Sequence, residues 1–248
     1  MPRFQDTSAH DTHLIGGTTF QFSAARIGDL GATEYTLGVV VVDCSGSVGG
    51  YRADIERSLK EVVRALRRHP RADNLMLRVV LFDDKVEEFH GFRPLPDCNE
   101  ADYDGAIRPS GSTALFDATC NAVQSAATYG RLLVDHQFQV NAAVFVITDG
   151  ADNASKMTAK SVAQAVALAQ KSEVLESVLT VLVGVGTGSG GLDPYLQAFK
   201  TDAGFAQYVS IGNATAAELA KLGGFISRSL ASQSQALGTG GASIALSF

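Results

Sequence analysis

Asp43, Ser45 and Ser47 place one carboxylate and two hydroxyls at alternate positions of a short segment. The segment directly follows the valine run Val39–Val42, and an amphipathic pattern begins soon after it. A continuous β-branched run predicts a strand that is buried on both faces, so these side chains are expected at its carboxyl end. Open α/β sheets bind ligands at this edge, and carboxylates and hydroxyls are hard ligands. The segment therefore indicates a site for Mg²⁺ or Mn²⁺.

Two later segments offer oxygen ligands of the same kind. Thr113 opens the second predicted helix, and Asp149 follows a buried strand predicted over residues 142–148. If the strands that end at Asp43 and Asp149 are neighbours, their carboxylates meet at one edge of the sheet. Two carboxylates about 5 Å apart repel by roughly 3 kcal/mol at an effective dielectric constant of about 20, and a divalent cation between them removes that cost. Neutral hydroxyls fill further coordination positions without adding charge.

The elements that must position these residues alternate between strand and helix. The helix predicted over Tyr51–His69 has apolar residues at helical spacing, and Pro70 ends it. Alternation predicts an α/β fold with a mostly parallel central sheet and helices on both faces. We expect one antiparallel edge strand over Val86–Phe92, and an added edge strand over Thr18–Arg26 that pairs with the segment Thr33–Asp43.

The length and composition favour one domain. The chain has 248 residues, of which 46% are hydrophobic and 19% charged, as in ordinary globular proteins. We expect a flexible N-terminal segment over 1–16, a single domain over 17–232, and a Gly/Ser-rich C-terminal tail over 233–248.

Charge and cysteine content narrow the classes of partner and compartment. The net charge of −6 does not favour binding to nucleic acid or to anionic membranes. The polar N-terminus lacks a signal-peptide core, and no apolar run is long enough to cross a bilayer. Three widely spaced cysteines, Cys44, Cys98 and Cys120, are typical of reduced thiols in a cytoplasmic protein. Cys44 lies inside the Asp-Ser-Ser segment, so its reactivity stays open.

The motifs of several enzyme classes fit poorly. Phosphoryl-transfer hydrolases of the haloacid dehalogenase type need a second aspartate where Ser45 stands. The chain has no Gly-x-Ser-x-Gly nucleophile elbow and no Walker A motif. The segment Gly186–Gly191 fits Gly-x-Gly-x-x-Gly, but no acidic residue ends a following strand as dinucleotide binding requires. None of the five histidines falls in a recognisable catalytic pairing.

The combination Asp-x-Ser-x-Ser, Gly-Ser-Thr and Thr-Asp-Gly, in that order, resembles the metal-ion-dependent adhesion site of von Willebrand factor type A domains. The resemblance covers roughly residues 33 to 230 and implies a Rossmann-like fold in which a bound ion mediates contact between proteins. It implies that the hydroxyls bind the ion directly and that the aspartates often act through water. All five metal positions of the family are present: Asp43, Ser45, Ser47, Thr113 and Asp149.

The chain also resembles bacterial stand-alone members of this family, in particular the TerY-like group of tellurite-resistance and stress operons. That resemblance rests on the lead-in Thr33-Glu34-Tyr35 and on the Ser-, Gln- and Gly-rich end of the chain. It implies partners such as an operon-encoded protein phosphatase or protein kinase.

The sequence therefore predicts a cytoplasmic, non-enzymatic module for metal-dependent protein–protein interaction in a stress response. A carboxylate of a partner would complete the coordination of Mg²⁺, with Mn²⁺ and Ca²⁺ as alternative ions. We expect no nucleic acid, membrane or small-molecule substrate as partner. Two alternatives stay open: a metal-dependent hydrolase, most plausibly a phosphatase, that uses the same site, and a scaffold whose site is empty in the cell.

Overall fold

The described part of the chain folds around one eight-stranded sheet with the order β1-β2-β5-β4-β3-β6-β7-β8. A computed structural model describes residues 10–15, 20–172, 174–188 and 190–248. The strands are β1 (His10–Leu14), β2 (Gln21–Ala25), β3 (Glu34–Asp43), β4 (Leu75–Phe82), β5 (Val86–Pro94), β6 (Gln139–Thr148), β7 (Val178–Val185) and β8 (Gln207–Ile211).

Strand β3 lies inside the parallel part of the sheet, between β4 and β6. Its valines alternate between the two faces: Val39 and Val41 pack in one core, and Val40 and Val42 in the other. A strand covered on both faces can be apolar at every position, which explains the unbroken valine run. Asp43 follows the valine run as the last residue of the strand, so its carboxylate appears where the strand reaches the edge of the sheet.

Helices cover both faces of the sheet. Helices α1 and α5 pack on the face of Val40, while α2, α3 and α4 pack on the face of Val39. None of these described helices is both long and apolar enough to cross a bilayer. The helices are α1 (Arg52–Arg67), α2 (Leu115–Asp135), α3 (Ala159–Lys171), α4 (Leu192–Ala203) and α5 (Ala216–Thr239).

The predicted α/β fold with a mostly parallel sheet is confirmed, and β5 runs antiparallel to β4 as expected. The pairing of the N-terminal edge strand is different from the prediction. Strand β2 pairs in parallel with β5, through the register Ala24↔Phe92, and not with β3. Strand β1 then pairs antiparallel with β2, so His10–Leu14 is a paired strand within the segment expected to be flexible. The rest of that segment, residues 1–9 and 16, lies outside the described residues.

A buried polar cluster explains why β2 joins this edge. Arg78 of β4 is 1% exposed, and its Nε donates to Glu88 Oε2 of β5 at 2.8 Å. Glu88 also accepts hydrogen bonds from the backbone N–H and the hydroxyl of Ser23 on β2. The Arg78 guanidinium further donates to Asn121 and Ser125 of α2. These five residues, called the Arg78 cluster below, tie β2, β4, β5 and α2 together.

The C-terminal helix is longer than the sequence predicts. Helix α5 reaches Thr239, so residues 233–239 of the expected tail are helical. Gln233 and Ser234 are buried, and their side chains have polar partners there. The Gln233 amide N–H donates to the Ile244 carbonyl, and Arg71 Nε donates to the Ser234 hydroxyl. Polar residues that look solvated in the sequence are therefore buried through specific hydrogen bonds.

Candidate metal centre

The neighbouring strands β3 and β6 bring Asp43 and Asp149 to the same edge of the sheet. The two strands run parallel with Val42 opposite Ile147, so Asp43 and the residues after Ile147 emerge side by side. Asp43 is 2% exposed, whereas Asp149 is only partly buried. The strand order thus meets the condition on which the predicted meeting of the two carboxylates depends.

Both oxygens of the Asp43 carboxylate accept hydrogen bonds from nearby residues. Oδ1 accepts from the Ser45 backbone N–H at 2.8 Å, and Oδ2 accepts from the Thr148 hydroxyl at 2.6 Å. Burial nevertheless raises the pKa of Asp43 to about 6, the hydrogen bonds oppose that rise, and the nearby Asp149 carboxylate adds to it. A cation at this position would favour the ionised form of Asp43, because opposite charges lower the pKa of a carboxyl group.

The two serines extend this arrangement toward Asp149. The Ser45 and Ser47 hydroxyl oxygens are 3.1 Å apart, and the Ser47 hydroxyl donates to Asp149 Oδ1 at 2.8 Å. Ser45 is buried, and Ser47 is exposed at the mouth of the site. The backbone N–H of Gly46, between them, points to the carbonyl of Gly111 at 3.4 Å, which joins this segment to the loop before α2.

Thr113 comes from that loop and adjoins the Asp149 segment. A Cβ built on Gly150 would lie 3.1 Å from the Thr113 hydroxyl oxygen, so the glycine lets the two segments approach closely. Asn153 fixes the Thr113 backbone, because its Oδ1 accepts from the Thr113 N–H at 2.7 Å and its own N–H donates to the Thr113 carbonyl. Thr113 is 4% exposed, and within the described residues its hydroxyl makes no hydrogen bond. That buried hydroxyl therefore has lone pairs available for another ligand.

The structure brings all five predicted residues to one edge of the sheet. Hydrogen-bond contacts connect Ser45, Ser47 and Asp149, Asp43 is bonded to the Ser45 backbone, and Thr113 adjoins Gly150. No described residue forms an ion pair with Asp43 or Asp149.

These five side chains fit a hard divalent cation because every ligand atom that they offer is an oxygen. Among the described residues, the two carboxylates also have no cationic partner. The arrangement differs from sites that are built from three or more His, Cys, Asp or Glu side chains, and the described residues contain no such group.

Two site residues were missed by sequence reasoning. Thr148 ends a buried strand and opens the Thr-Asp-Gly motif, but the sequence assigned it no role, and its hydroxyl holds Asp43. Tyr51 was seen only as the start of a helix, yet its hydroxyl donates to Asp149 Oδ2. Burial, and then the hydrogen bond to Asp149, raise the pKa of Tyr51, so the phenol keeps its proton and acts as a donor. The position of Thr148 beside the Asp-Gly pair was the one available signal.

Neighbouring polar residues have structural roles. Burial raises the pKa of the Cys44 thiol to about 12, so little of it is present as the reactive thiolate. Asp83 holds the β4–β5 turn, because its Oδ1 accepts from the Lys85 N–H at 2.9 Å. Asp152 Oδ1 accepts from the Phe116 N–H at 3.1 Å and so caps the beginning of α2.

Comparison with known proteins supports the fold. No protein-family model and no curated protein sequence matches the chain. Among solved structures, proximal thread matrix protein 1 from the mussel byssus, with a zinc-occupied metal-ion-dependent adhesion site, is 23% identical with a TM-score of 0.54 over 80% of this chain. The PilB minor pilin from Streptococcus sanguinis is 15% identical with a TM-score of 0.58 over 87% of this chain.

This chain spans less than the full length of both neighbours. It covers 46% of the mussel protein and 65% of the pilin. At these identities the similarity carries information about architecture alone. Together with the strand order above, it shows that the chain has the α/β fold of von Willebrand factor type A domains.

Proposed function

We propose that this chain is a module for metal-dependent protein–protein interaction. A divalent cation would be held by Asp43, Ser45, Ser47, Thr113 and Asp149, and a carboxylate of a partner protein would complete its coordination. When bound, the cation supplies a Lewis-acidic position that accepts an oxygen ligand from outside the chain. The observation that carries the proposal is the convergence of two carboxylates and three hydroxyls with no cationic side chain among the described residues that pairs with them.

The residues of the chain prepare that position in advance. Thr148 and the Ser45 N–H fix the Asp43 carboxylate, and Asn153 fixes the backbone of Thr113. Groups held in this way lose little further conformational freedom when a ligand arrives. Because Ser47 is exposed, a partner reaches the site from solvent without any movement of the strands.

Mg²⁺ is the ion we propose, with Mn²⁺ and Ca²⁺ as alternatives. All five side chains offer oxygen, which suits Mg²⁺, Mn²⁺ or Ca²⁺ better than zinc, whose structural sites favour nitrogen and sulfur. The zinc in the mussel protein belongs to that protein's own site.

The test is calorimetric titration of Mg²⁺ and Mn²⁺ into the purified chain. We expect binding by the unmodified chain and loss of binding in Asp43→Asn, which keeps the side-chain shape but removes the charge. Asp193→Asn is a matched control, because Asp193 accepts bonds from Tyr208 and Ser210 at the carboxyl end of β8, outside the five-residue set. Acetate added at high concentration should tighten cation binding if the open position takes a carboxylate. Absence of cation binding with and without acetate would overturn the proposal.

The hydrolase alternative makes a different prediction. It requires turnover of a generic phosphate ester that is lost in Asp149→Asn. We favour the interaction module because the site residues bond to one another: Ser47 and Tyr51 both donate to Asp149, and Asp43 accepts from two donors. Neither carboxylate is thereby presented as a general base toward solvent.

The biological setting remains a prediction from the sequence resemblance. We propose a cytoplasmic role in a bacterial stress response of the tellurite-resistance kind, with an operon-encoded phosphatase or kinase as partner. The three cysteines are free and buried, which suits a reducing compartment. Capture of such a partner that depends on Mg²⁺ and on Asp43 would support this setting.

A further inference from the structure

Tyr51 and Ser47 each donate a hydrogen bond to a different oxygen of the Asp149 carboxylate. Tyr51 follows the short turn Gly46–Gly50 and directly precedes α1, with its backbone N–H donating to the Val48 carbonyl. Its hydroxyl donates to Asp149 Oδ2, while the Ser47 hydroxyl donates to Oδ1. Only Oδ1 therefore faces the serine hydroxyls.

The spacing of the oxygens on the serine side matches a small octahedral ion. Mg²⁺ takes six ligands at about 2.0–2.1 Å, so neighbouring ligand oxygens lie about 3 Å apart. The Ser45 and Ser47 oxygens are 3.1 Å apart, and the Ser47 oxygen is 2.8 Å from Asp149 Oδ1. These three oxygens are thus spaced like adjacent corners of a magnesium octahedron, and Oδ2 is turned away toward Tyr51.

We propose that Tyr51 makes this site select Mg²⁺ over Ca²⁺ by holding Asp149 as a one-oxygen ligand. The inference rests on the proposed function, because it assumes that a cation occupies the site. Ca²⁺ takes six to eight oxygens at longer distances and commonly uses both oxygens of a carboxylate. With Oδ2 engaged by the Tyr51 hydroxyl, Asp149 contributes one oxygen, which suits the lower coordination number of Mg²⁺.

The Asp43 carboxylate is also held on both of its oxygens. Oδ1 accepts from the Ser45 N–H and Oδ2 from the Thr148 hydroxyl, and neither of these bonds involves Tyr51. Removing the Tyr51 hydroxyl therefore releases Asp149 Oδ2 and leaves the bonds of Asp43 in place. The Tyr51 ring packs against the core on the α1 side, so phenylalanine preserves that packing.

The experiment compares Mg²⁺ and Ca²⁺ affinities of the full chain and of Tyr51→Phe by calorimetry. We expect Ca²⁺ to bind more tightly in the variant, so that the ratio of Ca²⁺ Kd to Mg²⁺ Kd falls by roughly tenfold. Mutation of a residue that holds a metal ligand typically changes metal affinity by about this factor. Tyr208→Phe is the matched control. It also removes a tyrosine–aspartate hydrogen bond at this edge of the sheet, but its acceptor is Asp193, so its ratio should stay unchanged.

The possible outcomes separate this inference from the proposed function. A Tyr51→Phe variant whose affinity ratio is unchanged, including one that weakens both ions equally, overturns the selectivity role and assigns Tyr51 a structural one. An equal fall of the ratio in Tyr208→Phe also overturns it. Failure of the unmodified chain to bind either ion overturns the proposed function itself. Thermal unfolding of each metal-free variant confirms that the compared proteins are folded.

Discussion

The Arg78 cluster and the candidate metal centre are centred on the adjacent strands β4 and β3, and each holds a carboxylate that is largely removed from solvent. In the cluster, Glu88 meets the buried guanidinium of Arg78 and two donors from Ser23. In the metal centre, Asp43 meets only neutral donors, and the described residues supply it no cation. The first arrangement balances its charge within the chain, whereas the second leaves a negative charge to be balanced from outside. The Arg78 cluster therefore stabilises the fold, whereas the candidate metal centre leaves a charge that a bound cation would balance.

The largest effect expected from this contrast is on stability. Arg78→Met leaves Glu88 largely buried without its cation, and breaking such a pair lowers the free energy of unfolding by about 3–5 kcal/mol. Denaturant unfolding measures the change. Arg26→Met is the matched control, because Arg26 pairs with Asp11 at the surface and its loss should cost less than about 1 kcal/mol. Equal losses in the two variants would contradict the role assigned to the Arg78 cluster.

The second prediction concerns the negative charge of the candidate metal centre, which no cationic side chain among the described residues balances. Mg²⁺ at one hundred times its Kd should raise the free energy of unfolding by about 2.7 kcal/mol, because it binds the folded state alone. Asp149→Asn should abolish that gain, while Asp193→Asn should keep it. Thermal unfolding with Mg²⁺ or with a chelator provides the measurement. A gain of the same size in Asp149→Asn would place the cation elsewhere.

His90 sharpens the comparison, because it is a buried base near the Arg78 cluster. Burial, together with the positive charges of Arg93 and Arg78, lowers the pKa of His90 to about 3. The neutral ring bonds to the Gly91 carbonyl and to the Tyr103 hydroxyl. In the unfolded chain the pKa of His90 is about 6.5, so below this pH the unfolded state takes up a proton that the folded state does not. The free energy of unfolding therefore decreases as the pH is lowered.

Between pH 7 and pH 5 this single group should remove about 2 kcal/mol from the free energy of unfolding. Buried carboxyl groups with raised pKa, such as Asp43, act in the opposite direction, so the comparison must be made against a variant. His90→Gln should show a pH 7 to pH 5 loss that is smaller by about this amount. A histidine signal assigned to His90 that titrates above pH 5 in the folded protein would refute the argument.

Sequence patterns predicted those features of the fold that depend on residue type and on the spacing of apolar residues. The valine run, its ending in Asp43, and the buried strand before Asp149 predicted a carboxylate at the carboxyl end of each of two buried strands. That the two strands are neighbours is shown by the structure alone. The pairing of β2 was not predictable in this way, because it depends on the contact of Ser23 with Glu88, residues far apart in sequence. Gln233 illustrates the same limit, since its side-chain oxygen is buried beside the distant Ser177 hydroxyl.

Within the candidate site, the sequence identified the proposed ligands better than the groups behind them. The residues behind them, Thr148, Tyr51 and Asn153, have side chains that serve equally well as solvent-facing turn residues or helix caps. Only the fold shows which hydrogen-bond partner each side chain reaches. The geometry of the site therefore depends on tertiary contacts, although its proposed ligands belong to short sequence motifs.

The smallest expected effect comes from one of these supporting residues. Asn153→Ala removes the acceptor of the Thr113 N–H, which should cost about 1 kcal/mol of stability, since a partly buried donor is left unpaired. The same change loosens Thr113, so Mg²⁺ affinity should fall by roughly tenfold. Asn153→Asp keeps the acceptor oxygen and should restore the stability. Calorimetry and denaturant unfolding on both variants measure the two effects. If Asn153→Ala lost stability but kept full Mg²⁺ affinity, the Thr113 hydroxyl would not be a ligand, and the centre would rest on Asp43, Asp149 and the two serines.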